Sequence, residues 1–230
     1  VLHTEECTWD DTTYCCSGAG YKKGENITYG NLGTSGTLTS GDAFDCDVNG
    51  DGVYDSGTER FYYVSDYYNT STKSFENNTA VLIYYNNISS GNPSTNSTYA
   101  YDSSNENWYG PKTAVMELPT KSMWKNVSLS NSERKLTNEY GTNNTKDGHT
   151  FPSTFSYSEY AARLLTFQEL KKALNIYIPT WQNGELNDHL YFVENTNFAI
   201  GKTSSFDGYW LENPRYSLSA YAWFIYTEGR

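Results

Sequence analysis

After Cys46 the sequence has no cysteine, and its whole complement is 4. Methionine is rarer still, with 2, and the 3 histidines are His3, His149 and His189. No stretch reaches the ~18 consecutive apolar residues of a membrane-spanning helix, so none is expected here. No secretory leader is visible, and Val1 reads as a processed or trimmed start. Basic residues are scarce: 16 Lys plus Arg stand against 27 Asp plus Glu, for a net charge of −11. A protein that grips duplex nucleic acid needs a basic footprint; nucleic acid is therefore excluded as a partner. The acidic balance fits solubility outside the cell, or cation binding.

What the chain has in excess is aromatic and amide chemistry: 22 Tyr, 10 Phe and 6 Trp within 230 residues, set among many Asn, Ser and Thr. This length suits one large domain, or one domain with an N-terminal extension, and can bury a sizeable core without staples. Tyrosine-rich, Asn- and Gly-punctuated sequence predicts short strands and many loops.

Cys7, Cys15, Cys16 and Cys46 all fall in the first fifth of the chain. An even number confined to a loop-rich end predicts two disulfides formed in an oxidising compartment. Cys15 and Cys16 are adjacent, so each is expected to bond to Cys7 or Cys46, in an order the spacing leaves open. The zinc reading lacks paired Cys-x-x-Cys spacing and has only His3 nearby. Val1 to about Thr39 reads as an irregular extension with turns at Ser17–Gly20 and Gly30–Gly33.

Asp45 to Glu59 carries the one motif with metal chemistry. Asp47, Asn49 and Asp51 alternate, Gly52 permits a sharp turn, the Val53 carbonyl comes next, and Asp55 follows. This is most of a calcium loop of EF-hand spacing, in which alternate oxygen ligands turn inward around a hard cation. Thr58 stands where a bidentate Glu belongs, with Glu59 one residue late and Asp45 able to help from the other side. A strand, not a helix, is expected to follow. The competing reading is a hairpin turn with solvated acids, but carboxylates packed this closely repel one another without a cation. Calcium is the expected cofactor.

Arg60–Val64 and Ala80–Tyr85 predict strands joined by an Asn/Ser/Thr-rich loop, followed by a polar insertion over Asn86–Asn107. Pro111 opens a short helix, Lys112–Leu118, stopped by Pro119, and Trp124 anchors the next turn. Thr166 and Glu169 form a capping box, each able to satisfy a backbone N–H at a helix start. Leu165 and Leu170 flank it as a hydrophobic staple, and Phe167, Leu170 and Leu174 share one face. Leu190–Val193, Tyr209–Leu211 and Tyr221–Tyr226 read as strands; the last is apolar on both faces and should be central and covered. Asn26, Asn69, Asn77, Asn87, Asn96, Asn126 and Asn143 begin glycosylation sequons, a density that an Asn/Ser/Thr-rich chain produces by chance.

Three ordered stretches carry a resemblance: Arg163-Leu-Leu-Thr-x-x-Glu-Leu170, Gly208-Tyr-Trp-Leu-Glu-Asn-Pro214 and Ser219-Ala-Tyr-Ala-Trp-Phe-Ile-Tyr226. Together they resemble the C-type-lectin-like fold. The nearest branch is the bacterial one of collagen-like-protein C-terminal and formylglycine-generating-enzyme-like domains, found also as the heads of prepilin-type surface proteins. The resemblance implies an α+β domain over 60–230, with short strands, two helices and long loops. A disulfide-stapled N-terminal extension with its calcium-type loop would occupy 1–59. Related domains continue into a closing Val-Arg-Pro-Val strand; this chain stops at Arg230, so that strand is either cut off or supplied by a neighbouring subunit through strand addition.

The function expected from all this is a non-catalytic extracellular or cell-surface module, pilin-like or adhesive. It would associate with itself, with another surface protein or with a glycan. Tyr99, Tyr101, Trp108 and Tyr109, in the polar insertion, are the candidate contact residues, since rings with polar tips suit adaptable recognition. Glu212-Asn213-Pro214 invites comparison with a lectin Glu-Pro-Asn sugar motif, but the order differs. An enzyme reading is weaker. Formylglycine chemistry needs reactive cysteines in the body of the fold, and Asp188–His189 beside Glu185 has no nucleophile elbow. A receptor varied near its C-terminus is a further use of the same fold.

Overall fold

A computed structural model describes residues 8–10, 15–17, 43–52, 59–84, 86–94, 99–127, 129, 131–174 and 208–226. Its main sheet is an antiparallel meander of five strands: β1 (Thr8–Asp10), β2 (Cys15–Ser17), β3 (Ala43–Cys46), β4 (Arg60–Asn69) and β5 (Ser74–Tyr84). The part of the chain expected to be an irregular extension thus supplies strands, and the sheet runs across the expected boundary at residue 59.

β4 is the strand on which the rest packs. Successive side chains of a strand point to opposite faces, and here both faces are covered. Tyr62 and Val64 join Leu165, Leu170, Leu211 and Ile225 in one core. Phe61 and Tyr63 join Cys46, Val48 and Tyr84 in the other. Trp124 closes that second core, with ring centres 5.5 Å from Phe61 and 5.4 Å from Tyr84. Each fully buried leucine here contributes about 1.5–3 kcal/mol relative to exposure.

The strands are longer than the apolar pattern indicated. The expected loop between them contracts to a turn in which Asn69 Oδ1 accepts the N–H groups of Ser71 at 2.9 Å and Thr72 at 3.2 Å. Ser65 and Asp66, polar and buried, remain within β4 because they have partners. The Tyr63 hydroxyl donates to Asp66, and Lys172 pairs with the same carboxylate.

Two small ribbons follow: β6 (Ile88–Ser89) with β7 (Asn92–Pro93), and β8 (Glu133–Arg134) with β9 (Phe155–Ser156). The helix expected over 112–118 is instead a 3-10 turn, Ala114–Glu117, with another at Asn107–Tyr109. Pro111 and Pro119 leave too short a span for more than one tight turn.

α1 (Phe167–Leu174) is the one α-helix among the described residues. It lies on β4 and on the hairpin of β10 (Gly208–Pro214) and β11 (Ala222–Tyr226). A bridge pairs Leu165 with Leu211, and Glu212 N–H donates to the Leu165 carbonyl at 2.8 Å. Among the described residues β11 pairs only with β10. It is not covered on both faces: Ile225 is buried but Phe224 is 41% exposed. Phe224 and Trp223 instead find rings, Trp210 at 5.6 Å and Phe167 at 5.1 Å respectively. The strand expected at Leu190–Val193 lies outside the described residues.

Candidate functional site

The densest polar chemistry lies where α1 meets β4 and the hairpin. Thr166 and Glu169 form the expected reciprocal cap: Thr166 N–H donates to Glu169 Oε2 at 3.0 Å, and Glu169 N–H to Thr166 Oγ1 at 3.2 Å. Two further connections were not legible in sequence. Arg163 grips Glu169 bidentately, at 2.6 and 2.9 Å. Glu169 Oε1 also accepts the Tyr68 backbone N–H at 2.9 Å. One carboxylate therefore caps the helix, holds the entry arginine and ties both to the sheet. Asn213 adds a second tie: its Oδ1 accepts the Phe167 N–H at 2.6 Å, and its amide donates to the carbonyl oxygens of Thr137 at 2.9 Å and Asn138 at 3.1 Å.

A second buried ion pair lies alongside. Arg134 Nε donates to Glu212 Oε2 at 2.7 Å, with side-chain exposures of 0% and 2%. The same guanidinium donates to the Tyr67 hydroxyl at 2.8 Å. The Tyr67 ring has two cations close to it, Arg134 at 5.3 Å and Arg163 at 5.5 Å.

For Glu169 and Arg134 the surroundings favour the charged form. Burial pushes the Glu169 carboxyl up, but Arg163, then Arg134 and the Thr166 N–H, outweigh it and keep it below the usual carboxylate range. Burial disfavours the Arg134 cation, yet Glu212 and Glu169 more than compensate and hold its pKa above the ordinary value. Burial pushes the Tyr101 and Tyr157 hydroxyls well up, with Glu212 adding to both. Two arginines and two carboxylates are thus locked in pairs at the junction.

The Glu212-Asn213-Pro214 comparison with a sugar motif fails on geometry. Glu212 and Asn213 are each 1% exposed, and their polar groups serve Arg134, the α1 N-terminus and the 137–138 backbone.

The Asp45–Glu59 segment is described at Asp47, Asn49, Asp51 and Glu59; Val53 and Asp55 lie outside the described residues, as does the side chain of Asp45. The Asp47 carboxylate is buried and accepts N–H groups from Gly50 at 2.8 Å, Asp51 at 3.1 Å and Gly52 at 3.0 Å. Gly50 and Gly52, at φ 77° and 86°, adopt the left-handed backbone this curl requires. Asn126 clamps the loop from outside, its amide donating to the Asp47 carbonyl at 2.8 Å. Among the described residues no group of three or more His, Cys, Asp or Glu is arranged to hold a metal ion. The donors present are all oxygens, the set a hard cation prefers. Cys46 is not a free thiol, and the β2–β3 register sets Cys15 opposite it; Cys7 lies outside the described residues.

The four candidate contact residues do not form one surface. Tyr101 is 1% exposed, and its hydroxyl donates to the Glu212 carbonyl at 2.6 Å; it belongs to the core. Tyr99 is half-buried and bonds to Ser89. Trp108 is half-buried, its indole N–H donating to the Arg215 carbonyl at 2.8 Å. Tyr109 is 50% exposed, under the Lys112 ammonium. The exposed tyrosines that sequence reading missed are Tyr140 and Tyr221, at 59% and 55%. Tyr140 meets Tyr216, distant in sequence, whereas Tyr221 lies against Arg215 of its own hairpin loop. His149 is exposed against Trp108; Glu185, Asp188 and His189 lie outside the described residues.

Among known proteins, the chain matches no family model, no curated protein and no solved structure. No helix among the described residues is long and apolar enough to cross a membrane.

Proposed function

We propose that this chain is a non-catalytic extracellular surface module of the C-type-lectin-like kind, adhesive or filament-forming, that displays a tyrosine- and amide-rich exterior. The observation that carries the reading is the helix–hairpin junction. Arg163, Glu169, Arg134 and Glu212, the charged groups best placed for acid–base work, are buried in ion pairs that join α1 to β4 and β10. Groups so used make a rigid stage, not a reaction centre. The lectin-like part is supported by the three stretches that carry the resemblance: the Leu165–Leu211 bridge and the Asn213 tie to α1 join the first two, and the β10–β11 pairing joins the third.

Two parts of the reading concern the N-terminal segment. A Cys15–Cys46 disulfide is supported by their opposed register, since opposed antiparallel residues fall within the Cα separation a disulfide spans. Calcium is supported by the all-oxygen set of Asp47, Asn49, Asp51 and Glu59, which would hold it with Asp45, Val53 and Asp55; bound there, it would neutralise crowded carboxylates and fix the loop.

Labelling intact source cells with a membrane-impermeant biotin ester tests the reading. The chain should be labelled before lysis and recovered with surface material, in fibres if it assembles. Labelling only after lysis would overturn it.

A further inference from the structure

We propose that Asn49 is a site of spontaneous deamidation, that the Asp47 curl sets its rate, and that the product loosens the curl irreversibly. The chain thereby carries an ageing device in its 46–52 loop. The proposal rests neither on surface display nor on a bound cation.

Asn49 is followed by Gly50. With no Cβ, glycine leaves its backbone nitrogen open to approach by the preceding side chain and its dihedrals free to permit it. Gly50, Asp51 and Gly52 are exposed and Asn49 is half-buried, so water reaches the site. Water is the only other reagent needed. The Gly50 nitrogen attacks Cγ of Asn49, the Cγ–Nδ2 bond breaks, and Nδ2 leaves as ammonia with the proton that Gly50 loses. A cyclic imide remains. Water then opens it at Cγ to give aspartate, or at the Asn49 main-chain carbonyl to give isoaspartate, whose main chain runs through the side-chain methylene.

The closed loop holds both reacting groups away from this path. The Gly50 N–H, which must give up its proton, donates to Asp47 Oδ1 at 2.8 Å. The Asn49 amide, which must turn toward it, is engaged at both ends by Asp51. Its Oδ1 accepts the Asp51 N–H at 2.8 Å, and its Nδ2 donates to Asp51 Oδ2 at 3.2 Å. Asp47 also accepts the N–H groups of Asp51 and Gly52, so releasing the curl frees all of these groups together. Conversion therefore follows the fraction of time the loop is open, and exposed loops lie at the low end of local stability.

Either product disturbs the loop. Aspartate at 49 replaces the amide that donates to Asp51 with a second carboxylate, and like charges at that separation repel. It also places the new charge near Glu59, whose Oε1 lies 3.4 Å from the Asn49 backbone nitrogen. Isoaspartate lengthens the main chain between 49 and 50. The N–H groups of Gly50, Asp51 and Gly52 then lose their common register on the one Asp47 carboxylate. Neither product regains ammonia, so the change accumulates with the age of the chain.

The test ages the full chain at neutral pH, folded in buffer and unfolded in guanidinium. Fragment-ion mass spectrometry follows Asn49 as a gain of about 1 Da, and isoaspartyl methyltransferase labelling counts the isoaspartate. The expected result is steady conversion of Asn49 in the folded chain, roughly tenfold faster in the unfolded one. Folded Asp47→Asn should convert at a rate between the two. The converted chain should melt at a lower temperature than the fresh chain, and Asn49→Gln, which closes a ring far less readily, should keep its melting temperature on ageing. An Asn49 that stays an amide in the folded chain while the unfolded chain converts would overturn the site. Equal rates in folded and unfolded chains would overturn control by the curl. A converted chain that melts like the fresh one would overturn the ageing device. The folded-against-unfolded comparison needs no variant, so the outcome stands even where Asp47→Asn does not fold.

Discussion

Glu169 accepts, at 2.9 Å, the backbone N–H of Tyr68, a residue 101 positions earlier in the chain. The same carboxylate caps its own helix and holds Arg163 bidentately. A capping group normally serves one element; this one joins the helix, the segment entering it and the central strand.

That sharing predicts unequal costs for the two halves of the cap. Thr166→Ala removes one bond of an ordinary N-cap and is expected to cost about 1 kcal/mol. Glu169→Gln leaves Arg163 buried without a counter-charge and removes the ionised acceptor from Tyr68, so roughly 3–5 kcal/mol is expected. Urea unfolding of the two variants measures the difference. Equal costs would show that Glu169 does no more than cap.

Acid should reach the same place. The Glu169 carboxyl titrates below its ordinary value in the folded chain, so the folded state binds its proton less readily than the unfolded chain. The resulting stability is fully present above the unfolded value near 4.5 and is lost as pH falls through the lower folded value. The melting temperature of the native chain should therefore fall below about pH 4.5. Glu169→Gln, less stable at neutral pH, should show a shallower fall over the same window. Parallel acid limbs in the two proteins would exclude Glu169 as a source of the acid sensitivity.

The capping box was legible because its partners are three residues apart and follow from helix geometry alone. The Leu165–Leu170 staple was legible for the same reason, and both leucines are buried in one core. Arg163, Tyr68 and Asn213 were not, since only tertiary folding brings them to the α1 N-terminus. Strands β4 and β5 were read short because Ser65, Asp66 and the 74–79 stretch are polar, and a polar strand residue resembles a loop residue until its partner is known. Tyr221–Tyr226 was read as covered on both faces because its aromatic run has no polar alternation. In the fold, aromatic contacts hold that run while Phe224 stays partly in water. Of the surface candidates, Trp108 and Tyr109 lie near solvent, whereas Tyr101 was misplaced because a buried tyrosine looks like any other within a polar segment.

The Arg134–Glu212 pair makes a separate prediction. Both side chains are out of water, so removing either partner strands the other. Arg134→Met and Glu212→Leu should each cost about 3–5 kcal/mol, and the double replacement less than the sum of the two, since paired charges are removed together. Additive costs in thermal or urea unfolding would mean that the two do not act as a unit.

The Asp47 loop separates two roles that sequence alone merges. Asp47 accepts three backbone N–H groups, so Asp47→Asn should lower the melting temperature whether or not calcium is present. Asp51 lies at the exposed tip of the curl and is one of the proposed calcium ligands. Calcium should raise the melting temperature of the native chain by a few degrees through preferential binding to the folded state. Asp51→Ala should abolish that rise. Magnesium should substitute poorly, because a flexible loop of carboxylate and amide oxygens suits the larger ion. Scanning calorimetry with chelator, calcium and magnesium distinguishes the outcomes. If the native chain melts at one temperature in all three, the segment is a turn held by Asp47, Asn49 and the Asn126 clamp, and the crowded acids are accommodated by those N–H groups and by solvent.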